Sequence, residues 1–198
     1  MITTQNTSED MGNMELNENH VQWLIKQRGL VEKPCVWDDA TWSERLANVE
    51  GGVYDLALGK VFDYQYTNGS KMPFIKADGR SLAGMVERTD AEDWELYPGE
   101  PVWLQSAETV KLPDNIHGYI MTRTSSFRAG LIITGTQVHS LYNGKITVLA
   151  YNTLPIPVTV GKNARLFSIK FTPTEPETGY RGIWGGDKAT TDGVERPW

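Results

Sequence analysis

The sequence predicts a mainly β fold, a barrel or sandwich of short strands. Short apolar runs recur from Gly52 onward, spaced about ten residues apart beyond Val102, and turn signals fall between them. Nineteen glycines and ten prolines, spread through the chain, supply the many turns such a fold needs.

Helical periodicity is confined to the N-terminal part. The segment Asn17–Gly29 predicts a helix, with Asn17 as N-cap, Gly29 as the C-terminal stop, and Lys26 and Arg28 suiting the negative end of the dipole. Asp38 to Asn48 predicts a second, weaker helix. The strand candidates follow in order: Val53–Leu58, Val102–Gln105, Tyr119–Thr122, Leu131–Thr134, Ile146–Tyr151, Ile156–Val160 and Leu166–Phe171. Turns are predicted at Tyr97-Pro98-Gly99-Glu100, at Leu112-Pro113-Asp114-Asn115 and at Val160-Gly161-Lys162. Asn143-Gly144 carries the strongest hairpin-turn signal. Residues 1–15 are polar and read as a tail, 16–172 as one β domain, and 173–198 as a glycine-rich arm bearing Tyr180, Trp184 and Trp198.

Bulk properties exclude several classes. A net charge of −6 argues against general binding to nucleic acid or anionic membrane. No apolar run approaches the roughly 18 residues of a membrane span. The lone Cys35 permits no intrachain disulfide and suits a reducing cytoplasm. A catalytic zinc site built on His-x-Glu and a cysteine pair is not predicted, because His20, His117 and His139 lack a glutamate two residues on and Cys35 is alone, so no metal ligands are predicted in the chain.

One segment concentrates chemistry. Arg123-Thr124-Ser125-Ser126-Phe127-Arg128 packs two guanidiniums and three hydroxyls into six residues. From Asn115 to Thr174 the chain has six Lys/Arg and no Asp or Glu. Hydroxyls and cations without carboxylates are what a polyphosphate favours. A polar helix cap with solvated arginines is the plainer alternative.

With these residues in hand, the chain resembles the dCTP deaminase and trimeric dUTPase superfamily, with the closer likeness to the deaminases. The likeness runs from about residue 14 to 190. It rests on Gly52-Val53-Tyr54-Asp55-Leu56-Ala57-Leu58-Gly59, Tyr97-Pro98-Gly99-Glu100, Leu112-Pro113 through Gly118, Arg123 through Leu131, Asn143-Gly144 and Tyr151-Asn152, in that order. The resemblance implies a distorted, jelly-roll-like β-barrel of the dUTPase type, with a short N-terminal helix and a C-terminal arm. It also implies a homotrimer with sites between subunits, and dCTP or dUTP bound with Mg²⁺ carried by the triphosphate. Arg123, Thr124, Ser125 and Ser126 would bind phosphate, and Arg128 would reach the reaction centre. Gln137, His139 and Tyr142 would line the base and sugar region. Tyr180, Trp184 and Lys188 would close over the nucleotide from the arm. Asp55 would be mainly structural.

The sequence departs from the pattern at two acids. The aspartate that activates water in dUTP-hydrolysing relatives aligns with His139. The glutamate that serves dCTP deamination aligns with Leu149, which cannot move a proton. His139, or Glu175, Glu177, Asp187 and Asp192 of the arm, are substitutes the sequence leaves open. Three readings stand at this point: a dCTP deaminase-like enzyme, a nucleotide-binding regulator without turnover, and a structural trimer that reuses the fold.

Overall fold

The computed structural model describes residues 15–65, 73–76, 79–81, 83–176 and 194–195. The tail up to Met14, and the arm with Tyr180, Trp184, Lys188, Glu177, Asp187 and Asp192, lie outside the described residues.

Both helices form where the sequence predicts them. Helix α1 (Glu18–Arg28) starts at Asn17, whose side chain accepts from His20 N, and ends at Gly29, whose φ of 65° is the left-handed stop. It buries Val21, Leu24 and Ile25. After β1 (Val31–Glu32), α2 (Asp39–Ala47) is capped by Asp38, whose carboxylate accepts from Thr41 N. This contact lowers the Asp38 pKa below the usual carboxylate range.

Strands make the rest. In order they are β2 (Val53–Gln65), β3 (Phe74–Lys76), β4 (Gly79–Ser81), β5 (Gly84–Glu87), β6 (Asp93–Leu96), β7 (Pro101–Lys111) and β8 (Ile116–Thr122). The short helix α3 (Thr124–Arg128) leads to β9 (Leu131–Thr134), β10 (Gln137–Val138), β11 (Asn143–Asn152), β12 (Val158–Gly161), β13 (Arg165–Pro173) and β14 (Val194–Glu195). Among the described residues, one antiparallel sheet runs β10-β8-β13-β2-β7-β11-β9, with β1 added to β7 and β5 to β2. Strands β12 and β6 pair separately, as do β14, β4 and β3.

The sheet is a curled half-barrel, the distorted barrel expected. Its path begins at β10-β8 and ends at β9, yet β8 reaches β9 directly. Thr122 Oγ1 donates to Ile133 O and accepts from Ile133 N at 3.2 Å. The side chains of β11 alternate strictly: Ile146, Val148, Ala150 and Asn152 point inward, and Thr147, Leu149 and Tyr151 outward. Leu56, Leu104, Val148, Leu131, Phe167 and Ile169 fill the enclosed core. At the β2–β7 register shift, a Cβ on Gly59 would come within 2.8 Å of Ala107 Cα, so only glycine lets the strands close there.

One turn differs from expectation. Asn143 and Gly144 are not a hairpin turn; they pair with Lys111 and Val110 as the first residues of β11. The chain reverses just before them. Leu141 takes a φ of 62°, and Tyr142 N donates to His139 O. Leu141 N and Tyr142 O bond across to Pro113 O and Leu112 N, so pairing to the β7–β8 corner overrides the local Asn-Gly preference.

Candidate functional site

The arginine- and serine-rich segment folds as α3 with its N-cap Arg123, directly after β8 and beside the β8–β9 closure. Ordinary helical bonds hold it, from Phe127 N to Arg123 O and from Ala129 N to Ser125 O, both 3.0 Å. It ends at Gly130, with φ 83°. A Cβ there would lie 2.3 Å from Leu154 Cγ. Both backbone sign and packing therefore demand glycine.

The segment has two sides with different work. Its inward side is spent on anchoring. Ser126 is buried and its hydroxyl donates to Leu166 O on β13 at 2.7 Å. Arg123 Nε lies 2.9 Å from Asp55 Oδ2 on β2, and Arg123 Nη1 donates to Arg165 O at 3.0 Å. Asp55 also accepts from Ser168 Oγ at 2.8 Å and has Arg165 Nη1 at 3.6 Å. The outward side carries Thr124, Ser125 and Arg128, all exposed, with Phe127 beside them. Among the described residues Arg128 has no ion pair.

The base-and-sugar candidates lie elsewhere on the sheet. Gln137 sits on the edge strand β10, opposite Tyr119 of β8, with its Nε2 3.0 Å from His117 Nδ1. His139 follows it, exposed, with its ring 6.3 Å from that of His117. Tyr142 is buried, and its hydroxyl donates to Lys145 O at 2.7 Å, so this side chain packs in the fold.

Leu149 stands on the outward face of β11, half-buried. Thr134 of β9 is directly across the ladder on one side and Trp103 of β7 on the other. Neither neighbour titrates near neutral pH. Among the described residues, Trp103 Nε1 is buried without a hydrogen-bond partner. Ile132 and Tyr151, half-exposed, continue this outward apolar strip.

Sequence reasoning overlooked Glu108. It is fully buried in β7, and its carboxyl accepts from Tyr54 OH at 3.1 Å and from Ala57 N at 3.0 Å. Burial raises its pKa to about 7, against the opposing pull of the Ala57 and Tyr54 donors and Arg45. The same burial, with Glu108 alongside, pushes the Tyr54 phenol far above its ordinary range and keeps it a donor. A signal was available: Val102, Leu104, Ser106, Glu108 and Val110 share one period-2 face.

A protein-family model described as dCTP deaminase-like matches residues 31–174. The dCTP deaminase of Acidianus ambivalens is 26% identical over 180 residues, spanning 90% of this chain and 96% of that protein. The dCTP deaminase of Pyrobaculum arsenaticum is 29% identical over 138 residues, covering 69% of this chain and 77% of the relative. Among solved structures, the 2′-deoxycytidine 5′-triphosphate deaminase of Agrobacterium tumefaciens superposes with a TM-score of 0.57 at 16% identity, over 80% of this chain. That match spans about half, 47%, of the Agrobacterium chain, and it supports the fold.

Proposed function

Because the chain belongs to the dCTP deaminase-like family, we propose that it binds a pyrimidine deoxynucleoside triphosphate, dCTP or dUTP, and turns it over feebly or not at all. One observation carries the binding half: Thr124, Ser125 and Arg128 are presented together on a turn whose inner side is fixed by Ser126 and Arg123. Hydroxyl donors and an exposed guanidinium on an anchored support suit phosphate oxygens. Mg²⁺ would arrive with the triphosphate, held mainly by phosphate oxygens.

The chemical half is weakened at Leu149. Deamination at C4 needs a base to take a proton from water and return it to the ring and leaving ammonia. Leu149, Trp103 and Thr134 supply no such group. Loss of a general base costs roughly 10²–10⁴-fold. His139 is the nearest candidate by sequence position for a substitute base.

In this reading the protein is a homotrimer, with the outward strip of Leu149, Ile132 and Tyr151 facing a neighbouring subunit. Gln137 and His139 border the base, and Tyr180, Trp184 and Lys188 cover the nucleotide from the arm. The setting is pyrimidine deoxynucleotide metabolism in the cytoplasm, with no nucleic-acid or membrane partner.

The test is calorimetry of full-length protein with dCTP, dUTP and dTTP in Mg²⁺, alongside ion-exchange analysis of the products. The expected result is saturable binding with little or no dUTP or dUMP formed. Absence of both heat and thermal shift with every nucleotide would overturn the binding reading. Rapid conversion would overturn the weak-turnover reading and direct mutagenesis to His139.

A further inference from the structure

We infer that Asp55 is a positioning residue for the α3 turn, acting through Arg123; its effect on ligand binding rests on the nucleotide-binding reading above. Asp55 of β2 lies directly opposite Ser168 of β13 in the sheet register. That ladder fixes the carboxyl before any side chain chooses a partner. Ser168 Oγ holds Oδ1 at 2.8 Å, which leaves Oδ2 turned to Arg123 Nε at 2.9 Å and to Arg165 Nη1 at 3.6 Å.

The guanidinium of Arg123 is thereby held at two points, by Asp55 through Nε and by Arg165 O through Nη1. A planar group held on two edges has its orientation set, not merely its distance. Arg123 is also the N-cap of α3, and its side chain makes no capping bond. Its contribution to the turn is therefore this lateral tie, together with Arg123 N to Leu166 O and Ser126 Oγ to Leu166 O.

Charge explains why a carboxylate is needed there. The segment from Asn115 to Thr174 contributes cations and no acid, and it brings the Arg123 and Arg165 guanidiniums to one carboxylate oxygen, Asp55 Oδ2. Asp55 comes from a distant part of the chain and places one negative charge between them. The Arg123 and Asp55 side chains are 26% and 18% exposed, so solvent screens the pair only in part. Without that charge the two guanidiniums repel, Arg123 leaves Arg165 O, and the start of α3 loses its lateral tie. The same arrangement divides the motif's two arginines: Arg123 is occupied as an anchor, and Arg128 is the cation left for a ligand.

The experiment replaces Asp55 by Asn in full-length protein. The substitution keeps the shape and an acceptor for Ser168, removes the charge, and replaces the oxygen that faces Arg123 Nε with an amide N–H₂. Amide exchange at Phe127 and Ala129, whose N–H groups close α3, should quicken roughly tenfold, the scale of one charge-assisted hydrogen bond, while exchange in β7 and β11 stays as in the parent. Binding of Mg·dCTP should weaken by a similar factor, and Asp55→Asn should add nothing in an Arg123→Gln background. Unchanged exchange in α3, or equal acceleration throughout the sheet, would overturn the inference. Should the parent bind no nucleotide, the function proposed above falls, and the exchange data still decide the positioning role. If Asp55→Asn fails to fold, Ser168→Ala removes one bond to the same carboxyl, and the same localised effect, smaller in size, is required.

Discussion

Glu108 should make this fold more stable in mild acid than at neutral pH, relative to a variant that cannot ionise. The carboxyl titrates near 7 in the fold and near 4.5 when solvated. Between those values the folded chain holds a proton that the unfolded chain has released. Stability from this group therefore falls as pH rises from about 4.5 to about 7, and is level on either side. At about 1.4 kcal/mol for each pH unit of separation, the full swing is about 3 kcal/mol. Tyr54 stays protonated throughout, so it adds no slope in this range. Glu108→Gln preserves volume and removes the titration. It also brings an amide N–H₂ toward the Tyr54 and Ala57 donors, a cost of ~1–3 kcal/mol that does not vary with pH. The assay is urea unfolding of both proteins from pH 4.5 to 8, taking the difference between their free energies at each pH. That difference should move by about 3 kcal/mol against the parent as pH rises. A flat difference, or one moving in the parent's favour, would show that the donors around the carboxyl outweigh its burial.

Three further outcomes are expected. Arg128→Gln should weaken Mg·dCTP binding by roughly ten- to a hundredfold without changing Tm, since this exposed side chain has no ion pair among the described residues; equal Kd values would remove it from the site. Gly130→Ala should destabilise by ~2–4 kcal/mol, from a left-handed φ and overlap with Leu154, read as a lowered thermal midpoint; an unchanged midpoint would contradict the packing described. Asn152→Ala should cost ~2–4 kcal/mol in urea unfolding, because its buried amide donates to Leu96 O and Ile156 O, both at 2.8 Å, and its carbonyl accepts from Leu154 N. A loss under about 0.5 kcal/mol would mean that these groups find other partners.

The parts of the fold legible in the sequence are those with local causes. Asn17, Gly29 and Asp38 cap their helices through bonds within four residues, and Leu131–Thr134 alternates as a strand should. Strand β6 was not legible. Asp93–Leu96 is polar on one side and ends an acidic stretch, and it becomes a strand by pairing with β12. Asn143-Gly144 misled for the same reason, since its partners are far along the chain. At the site, the hydroxyl- and arginine-rich segment stood out by composition, and Leu149 by alignment. The division of that segment into anchoring and exposed sides was hidden. Alone, the sequence suggests a region free of carboxylates; in space, Asp55 enters it from β2. Glu108 was masked by the usual presumption that acids are solvated, although its register placed it inward.

The pairing of Asp55 with Ser168 has a consequence in time. These residues are 113 positions apart, and Arg165 is made nearly as late as Ser168. During synthesis, residues 123–128 emerge well before the strand that supplies their carbonyl anchors. Until β13 docks on β2, Arg123 and Asp55 have no scaffold to bring them together. Topology thus makes the two coincide: β13 joins β8 to β2 in the sheet and also carries the carbonyl anchors of the turn. A nascent or truncated chain lacking β13 would carry every residue of the turn without the carbonyl anchors that orient it.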